Sequence, residues 1–383
     1  MARLLMSVVV LATLALAVPS RARDEKGCGT PADIGDGWSL ATPGETGIDA
    51  ARLCDLDGLL AQWPDANVHA VIVARHGKLV MERYYAGADE RWGAKLGVVQ
   101  FGPEVKHDLR SISKSVTSLL IGIALAEGRF PALESPVLDF FPEHADLRTP
   151  EKDRITFADL LTMSSGLQWD EDRSYDDPRN DEMGMLTSGD PFRYILAKPL
   201  AASPGTTYLY SNGDASLLGA ALVRGTGHTW SDYARDKLFT PLGIVDFDWD
   251  AVGRSRKLGP YGSLRLRPRD VAKLGQFVLA DGVWNGRHIL PTGWAAQSIA
   301  PRLNGEGLFF YGYQWWLGRS FVDGRELRWA AGFGVGGQRL FVVPSLELVV
   351  SLSLGQYGGR LQGIVPTAIL NKIVLPSVKG EPR

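Results

Sequence analysis

The sequence lacks an excess of charge of either sign, and this excludes one class of partner. Its 383 residues carry 41 lysines and arginines against 43 aspartates and glutamates, a formal net charge of −2. Proteins that bind nucleic acid usually carry a basic patch or stripe. Basic runs, low-complexity tracts and repeats of roughly 20–50 residues are also missing. We therefore expect a globular protein that binds no nucleic acid, with enough hydrophobic residues (45%) for a large core.

Cysteine and histidine are scarce, and this limits the metal sites that the sequence can predict. Two cysteines and six scattered histidines form no spaced ligand set, and His76 and His228 each stand alone in polar surroundings. The sequence therefore predicts no structural zinc, no other metal and no cofactor. In an exported protein, Cys28 and Cys54 could form one disulfide. Two free thiols are the alternative, and the sequence does not choose between them.

Two common enzyme signatures are missing. The Gly-x-Ser-x-Gly elbow of α/β-hydrolases is absent, and its nearest approach, "GWSLA" at Gly37, lacks the last glycine. The run "GFGVGG" at Gly332 lies between two strand-like segments, whereas a dinucleotide fingerprint opens a helix. An α/β-hydrolase and a nucleotide-binding enzyme are therefore both disfavoured.

Long apolar runs are missing except at the N-terminus. Leu4 to Val18 is apolar, follows Arg3, and is too short for a comfortable membrane span. Small residues follow, with cleavage possible after Ala17 or Ala22. This pattern predicts a secretory signal peptide over residues 1–22 and an exported protein, periplasmic or secreted, without a stable membrane span after cleavage. An uncleaved N-terminal anchor is the alternative.

Strand-like runs occupy both ends of the chain, and helical periods lie between them. The N-terminal part predicts a helix over Ala50–Trp63, two strands around a turn at Arg75–Lys78, and a loop over Glu90–Val105. A helix follows from Ser113 to a cap at Gly128, and later a long polar loop covers 168–190. Four strand-like runs mark the C-terminal part, and they are "YGYQWWLG", "ELRWAAG", "QRLFVVP" and "LELVVSLSL", with a closing helix over Ile364–Leu375.

The fold that explains this order most economically is α+β, an α/β sandwich. One antiparallel sheet would be built from both chain ends and flanked by helices, with a mainly helical region inserted. The expected division is a signal peptide over 1–22 and one catalytic domain over 23–383. That domain would comprise an α/β lobe at about 35–110 and 260–383 and a helical lobe at about 111–259.

Ser111 and Lys114 lie three residues apart at the start of the predicted helix, so both face one side of its first turn. Free N–H groups at a helix N-terminus favour a serine oxyanion and a neutral lysine nearby. A lysine with an ordinary pKa of about 10.4 is charged at neutral pH, but desolvation lowers that pKa and makes it a base. Alone, the pair is also consistent with a chance match.

Two further stretches strengthen this interpretation. In "PGTTYLYSNGD", Tyr210 and Asn212 place a phenol and an amide on one side of a turn. A tyrosine near an ammonium loses its proton more easily and can act as a general base. In "RWAAGFGVGGQRLFVVP", glycines in a strand indicate close approach by another chain segment or a ligand. A strand N–H there could complete an oxyanion hole with that of Ser111. A buried tyrosine and a structural bulge are the alternatives.

Together these motifs resemble the serine beta-lactamase and penicillin-binding-protein superfamily, for which Ser-x-x-Lys is a signature. The Tyr-x-Asn motif is similar to the class C beta-lactamase branch, and within it the chain most resembles the esterases and 6-aminohexanoate-dimer hydrolase-like serine hydrolases. The likeness extends from about Leu109 to Pro344. The stretches that carry it are "RSISKSVTSLLIGIAL", "LLTMSSGLQWDE", "PGTTYLYSNGD", "LRLRPRDVAKLGQFVLADGVWNG", "YGYQWW" and "GFGVGGQRLFVVP".

The resemblance implies a role for each motif residue. Ser111 would be the nucleophile, Lys114 its activating partner, and Tyr210 the group that passes a proton to the leaving group. Asn212 would position Lys114 and the substrate, and the N–H groups of Ser111 and Phe333 would form the oxyanion hole. Three further residues of the same stretches are candidates for substrate binding, namely Gly332, Gly334 and Trp169.

The third motif departs from the lactamase pattern. Beta-lactamases and penicillin-binding proteins begin it with Lys or His followed by Ser or Thr, whereas this chain has Trp329-Ala330-Ala331-Gly332. The resemblance therefore implies an exported carboxylesterase or amidase that forms an acyl-enzyme with a small ester, amide or lactam. A beta-lactamase or D-amino-acid peptidase is one alternative, especially if Arg339 replaces the cation. A non-catalytic binding protein is another, and the sequence leaves the oligomeric state open.

Overall fold

The computed structural model describes residues 28–380. The predicted signal peptide lies outside these residues and remains a prediction. Within residues 28–380, none of the helices is both long and apolar enough to cross a bilayer.

A nine-stranded sheet forms the centre of the molecule, with strands in the order β1-β3-β2-β16-β15-β14-β13-β12-β11. All neighbours are antiparallel except β1 and β3, which are parallel. N-terminal β2 pairs directly with C-terminal β16, which confirms the predicted α+β fold. The strands of this sheet are β1 (Ser39–Leu40), β2 (Val68–Arg75), β3 (Lys78–Tyr84), β11 (Leu303–Asn304), β12 (Phe310–Tyr311), β13 (Trp316–Val322), β14 (Arg325–Gly334), β15 (Gln338–Val343) and β16 (Leu348–Leu354).

Three small sheets complete the strands. Their members are β4 (Ala86–Arg91) with β5 (Ala94–Gln100), β6 (His107–Asp108) with β7 (Phe247–Trp249) and β8 (Leu264–Leu266), and β9 (Val283–Trp284) with β10 (Arg287–His288). The sheet of β6 and β8 matters for function, because β6 leads directly into the helix that carries Ser111 and Lys114.

Helices cover both faces of the central sheet, and the two faces have separate apolar cores. In β2, Ile72 and Ala74 enter one core while Val71 and Val73 enter the other, as the alternation of a strand requires. The helices are α1 (Ala50–Leu53), α2 (Leu56–Leu60), α3 (Ile112–Ala126), α4 (Phe157–Leu161), α5 (Asp181–Thr187), α6 (Pro191–Leu196), α7 (Asn212–Thr226), α8 (Trp230–Ala234), α9 (Pro268–Leu279), α10 (Trp294–Ser298), α11 (Leu361–Ala368) and α12 (Leu375–Ser377).

Three local predictions were wrong in detail. The expected helix over Ala50–Trp63 is two short helices that break at Cys54–Asp55. The expected loop over Glu90–Val105 contains the hairpin of β4 and β5, whose turn residues Trp92 and Gly93 both have positive φ. Such a turn matches the twist of two paired strands. The polar loop over 168–190 contains α5, which Asn180 caps.

Cys28 and Cys54 form a disulfide, which settles the choice that the sequence left open. The bond ties the first described residue to the end of α1. The proposed division into an α/β lobe and a helical lobe remains a prediction.

Candidate active site

Ser111 lies at the N-cap of α3, where β6 turns into the helix. The preceding Arg110 has a φ of 49°, a left-handed conformation that is uncommon for a residue with a side chain. The bend that this conformation produces brings Ser111 to the wall of a pocket, while the rest of α3 is buried up to Ala124. The N–H groups of Ile112 and Ser113 donate to the carbonyl oxygens of Leu109 and Arg110, so the first turn of α3 closes tightly beside Ser111.

Lys114 is buried one turn further along α3, with 2% of its surface exposed. Its Nζ donates to Ser111 Oγ at 2.8 Å and to the carbonyl oxygen of Tyr261 at 3.0 Å. Burial lowers the pKa of Lys114 to about 8, although the charges of Glu171 and Glu182 act in the opposite direction. Part of the amine is therefore uncharged at neutral pH, and it lies within hydrogen-bonding distance of a serine hydroxyl.

Tyr210 reaches the same point from the segment before α7. Its ring lies 4.9 Å from Lys114 Nζ and stacks on Trp316, and its hydroxyl makes a hydrogen bond with Ser111. The expectation that its proton is easily lost was wrong, because burial raises the pKa of Tyr210 well above the usual value, and Tyr311 and Glu171 raise it further. Tyr210 is thus a phenol beside the serine and not a base.

Asn212 begins α7, and its contacts differ from the expected one with Lys114. Its backbone N–H donates to Glu171 Oε2 at 2.8 Å, and its side chain makes a hydrogen bond with Glu182. Burial raises the pKa of both carboxyl groups, and the Glu182 charge raises that of Glu171 further. Asn212 therefore orients two acids, the half-buried Glu171 and the buried Glu182, whose charges act on Lys114.

Glu171 and Glu182 are functional candidates that the sequence analysis missed. Both lie in the 168–190 segment, which is polar enough to suggest a solvent-exposed loop. Instead, 5% of the Glu182 surface is exposed, and Glu171 accepts hydrogen bonds from Trp169 Nε1 and the Asn212 N–H. The stretch "LLTMSSGLQWDE" includes Glu171, but its spacing does not indicate that this acid contacts Asn212.

Strand β14 brings the predicted oxyanion segment to the same pocket. A side chain at Gly332 would come within 3.2 Å of Ile112 and Ser115, so its absence lets the strand pack directly on the start of α3. Phe333 and Gly334 line the pocket together with Ser111, and Trp169 also lines it. Gly332 is buried and allows this close packing, and it is not among the residues that line the pocket.

The pocket has a volume of about 970 Å³, and its wall is aromatic and acidic. Arg339 lines it, but its guanidinium lies 4.3 Å from the Phe333 ring and donates to the carbonyl oxygens of Gly334, Gln338 and Gln362. Arg339, the alternative to the missing motif cation, therefore donates its hydrogen bonds to backbone carbonyl oxygens. The acids of the wall are Asp170, Glu171, Asp172, Glu182 and Glu306.

Comparison with known proteins agrees with this geometry. A 6-aminohexanoate-dimer hydrolase of Paenarthrobacter ureafaciens is 27% identical over 337 residues, which cover 81% of this chain and 78% of that protein. A Bacillus anthracis structure, provisionally assigned as a 6-aminohexanoate-dimer hydrolase, superposes with a TM-score of 0.67 at 19% identity and covers 87% and 86% of the two chains. A class C beta-lactamase gives a TM-score of 0.65 at 16% identity, covering 86% and 96%. The Beta-lactamase family model matches residues 56–359, and the chain belongs to that family of serine hydrolases.

Proposed function

We propose that this serine hydrolase cleaves small esters or amides through an acyl-enzyme on Ser111, with Lys114 as the base. The observation that carries the proposal is the 2.8 Å contact between Lys114 Nζ and Ser111 Oγ, made where burial lowers the pKa of Lys114 to about 8. A base is most effective when its pKa lies near the working pH. Among residues 28–380, no carboxylate lies within ion-pair distance of this amine to hold it charged.

The proposed reaction uses the site residues in two half-reactions. Lys114 takes the Ser111 proton while Oγ attacks the substrate carbonyl, and the N–H groups of Ser111 and Phe333 stabilise the oxyanion. Tyr210 gives its proton to the leaving alcohol or amine and regains one from Lys114. Water then attacks the acyl-enzyme while Lys114 accepts a proton from it, and Lys114 returns that proton to Ser111 Oγ as the bond between Oγ and the acyl carbon breaks and the acid product departs.

The pocket wall favours neutral or cationic substrates over anionic ones. Five carboxyl groups line it, whereas Arg339 is held by three carbonyl oxygens and Arg110 donates to Glu90 at 3.0 Å. The third motif supplies neither a cation nor a hydroxyl. These features support a carboxylesterase or amidase, and the 6-aminohexanoate-dimer hydrolase among the relatives is consistent with this proposal. They disfavour a beta-lactamase or D-amino-acid peptidase that must hold a carboxylate.

We further propose that the protein is exported to the periplasm or secreted. Two observations support this, the signal-like N-terminal sequence and the Cys28–Cys54 disulfide. Disulfides persist mainly in oxidising compartments. Fractionation of the native host would locate the mature chain, and recovery of it in the cytosol with a retained N-terminus would contradict export.

The activity is tested with p-nitrophenyl acetate, p-nitrophenyl butyrate and nitrocefin. We expect turnover of an ester, with little or none of the anionic lactam, and an acyl adduct of defined mass on Ser111. Absence of turnover and of acylation with every substrate would favour a non-catalytic binding protein. A turnover rate on nitrocefin equal to the rate on the ester would favour the beta-lactamase alternative.

A further inference from the structure

Three residues that are far apart in the sequence meet at a second buried cluster. His69 on β2, Asp89 on β4 and His107 on β6 have 0%, 5% and 1% of their surface exposed. One donor atom from each lies within 4.8 Å of the others. Nothing in the proposed acyl-transfer reaction uses these side chains, so the cluster needs a separate explanation.

The outward nitrogen of each imidazole must carry a proton. His107 Nδ1 lies 3.0 Å from the carbonyl oxygen of Asp108, which can only accept a hydrogen bond. His69 Nε2 lies 3.1 Å from Asn67 Oδ1. The orientation of that amide is fixed, because Asn67 Nδ2 donates to the carbonyl oxygens of Ala88 and Gly355 at 2.8 and 3.1 Å. Both outward nitrogens are therefore donors.

The two inward nitrogens then face each other as lone pairs in the neutral rings. His69 Nδ1 and His107 Nε2 are 2.8 Å apart, a distance at which two lone pairs repel unless a cation lies between them. Asp89 Oδ1 lies 3.6 Å from His107 Nε2. Its other oxygen, Oδ2, is buried without a hydrogen-bond partner among the described residues. An unpaired buried carboxylate oxygen is costly, and a bound cation would satisfy it.

We propose that His69 Nδ1, His107 Nε2 and the Asp89 carboxylate bind one divalent transition-metal ion of the zinc type. Two imidazoles and a carboxylate are a donor set that zinc accepts, and the second carboxylate oxygen can supply a further contact. The surroundings match those of metal-binding histidines, whose other nitrogen usually donates to a carbonyl or carboxylate. The Tyr357 hydroxyl donates to Asp89 Oδ1 at 3.0 Å and orients the third ligand in the same way.

Metal binding requires a small local adjustment. Zinc–nitrogen distances of about 2.0–2.1 Å in a tetrahedral site separate two nitrogen ligands by about 3.3 Å. The rings must therefore move apart by about 0.5 Å from their separation of 2.8 Å. Phe101 stacks on His69 with ring centres 4.2 Å apart, and it closes the cluster from one side. The ion would thus be enclosed, in a structural and not a catalytic position.

The cluster lies behind the nucleophile, so the ion would support the segment that carries it. His107 precedes Ser111 by four residues, and Tyr357 links Asp89 to the Arg110 guanidinium, which lies 4.7 Å from the Tyr357 ring. The proposed ion site shares no residue with the Ser111 pocket, so its test does not depend on the proposed substrate class.

Zinc binding by the full chain tests the proposal without reference to activity. Chelator-treated protein is titrated with Zn²⁺ by calorimetry and with Co²⁺ by visible absorption, and its thermal midpoint is followed. We expect one ion per chain and a raised midpoint. Asp89→Asn and His107→Gln should weaken binding by at least about 100-fold. His228→Gln, a histidine outside the cluster, is the control and should bind as the parent does.

The alternative occupant is a proton shared between the two rings. Ring-nitrogen NMR of the parent chain separates the two cases even if the variants fold poorly. A proton signal on His69 Nδ1 or His107 Nε2 that disappears on addition of one equivalent of Zn²⁺ supports the metal site. A proton signal that persists with excess Zn²⁺, or stoichiometric binding retained in both Asp89→Asn and His107→Gln, would overturn it.

Discussion

Two buried lysines on two helices differ in their partners. Lys114 on α3 has 2% of its surface exposed, and Lys273 on α9 has 0%. Lys273 Nζ lies 3.1 Å from Asp270 Oδ1, and Arg267 also pairs with that carboxylate. Lys114 Nζ instead donates to a hydroxyl and a carbonyl oxygen, both neutral.

The difference shows that burial alone does not make a lysine a base. A buried ammonium is stable when a carboxylate compensates for its lost hydration, and it gives up its proton when only neutral acceptors are present. Lys273 therefore has a structural role, whereas Lys114 can act as a base. Substitutions at the two sites should therefore separate stability from catalysis.

Removal of the nucleophile should have the largest effect on rate. We expect Ser111→Ala to lower kcat/KM by at least about 10⁴-fold, since a nucleophile acts as a unit with its base. Stability should fall by only about 1 kcal/mol, because the Ser111 hydroxyl makes no capping hydrogen bond and loses only its hydrogen bonds with Lys114 and Tyr210. Ester hydrolysis and thermal unfolding are the measurements. Ser118→Ala in the same helix is the control, because Ser118 Oγ is buried without a partner, and loss of activity there would count against a specific role for Ser111.

Replacement of each lysine by methionine should give opposite results. Lys114→Met should lower kcat by about 10²–10⁴-fold, the usual contribution of a general base, while the free energy of unfolding stays equal or rises. Lys273→Met should lower the free energy of unfolding by about 3 kcal/mol, because Asp270 loses one of its buried partners. The kcat of its folded fraction should be unchanged. Urea unfolding measures the free energy of unfolding, and active-site titration gives the kcat of the folded fraction. Equal losses of kcat in the two variants would contradict the distinction between a catalytic Lys114 and a structural Lys273.

The pH dependence should show the acidic surroundings of Lys114. Activity should rise with pH through about 8, because the deprotonated amine is the base. The Glu171 charge raises the pKa of Lys114, so Glu171→Gln should lower it and move the acid limb of the kcat/KM profile by about 1 unit to lower pH. Asp172→Asn is a matched control, because Asp172 lines the same pocket. The acid limb of the kcat/KM profile should not move in this variant. A shift to higher pH in Glu171→Gln would contradict this electrostatic role.

The fold could be predicted from the sequence because the signals of its helices and strands are local. The helical period after Ser113 and the short apolar runs of the C-terminal strands each follow from a few neighbouring residues. The hairpin of β4 and β5 was missed because most residues of β5 are exposed and give no apolar alternation. Its turn at Trp92–Gly93 also lacks the usual Asn-Gly or Asp-Gly pair.

The electrostatics of the site could not be predicted, because they depend on burial that the fold creates. In the sequence, Glu171 and Glu182 cannot be distinguished from acids of a solvent-exposed loop. They become site residues only because the fold places both beside Asn212. The high pKa of Tyr210 has the same origin. His69, Asp89 and His107 come from three separate strands, so no spacing rule brings them together.

Direct titration of Lys114 tests the central claim. Lysine side chains labelled with ¹³C at Cε are followed by NMR from neutral to alkaline pH, and Lys114→Met identifies the signal. The structure predicts that Lys114 titrates at about 8, with the uncharged amine already present at neutral pH. A Lys114 signal that stays in the ammonium form up to its ordinary pKa of 10.5 would contradict its role as the base.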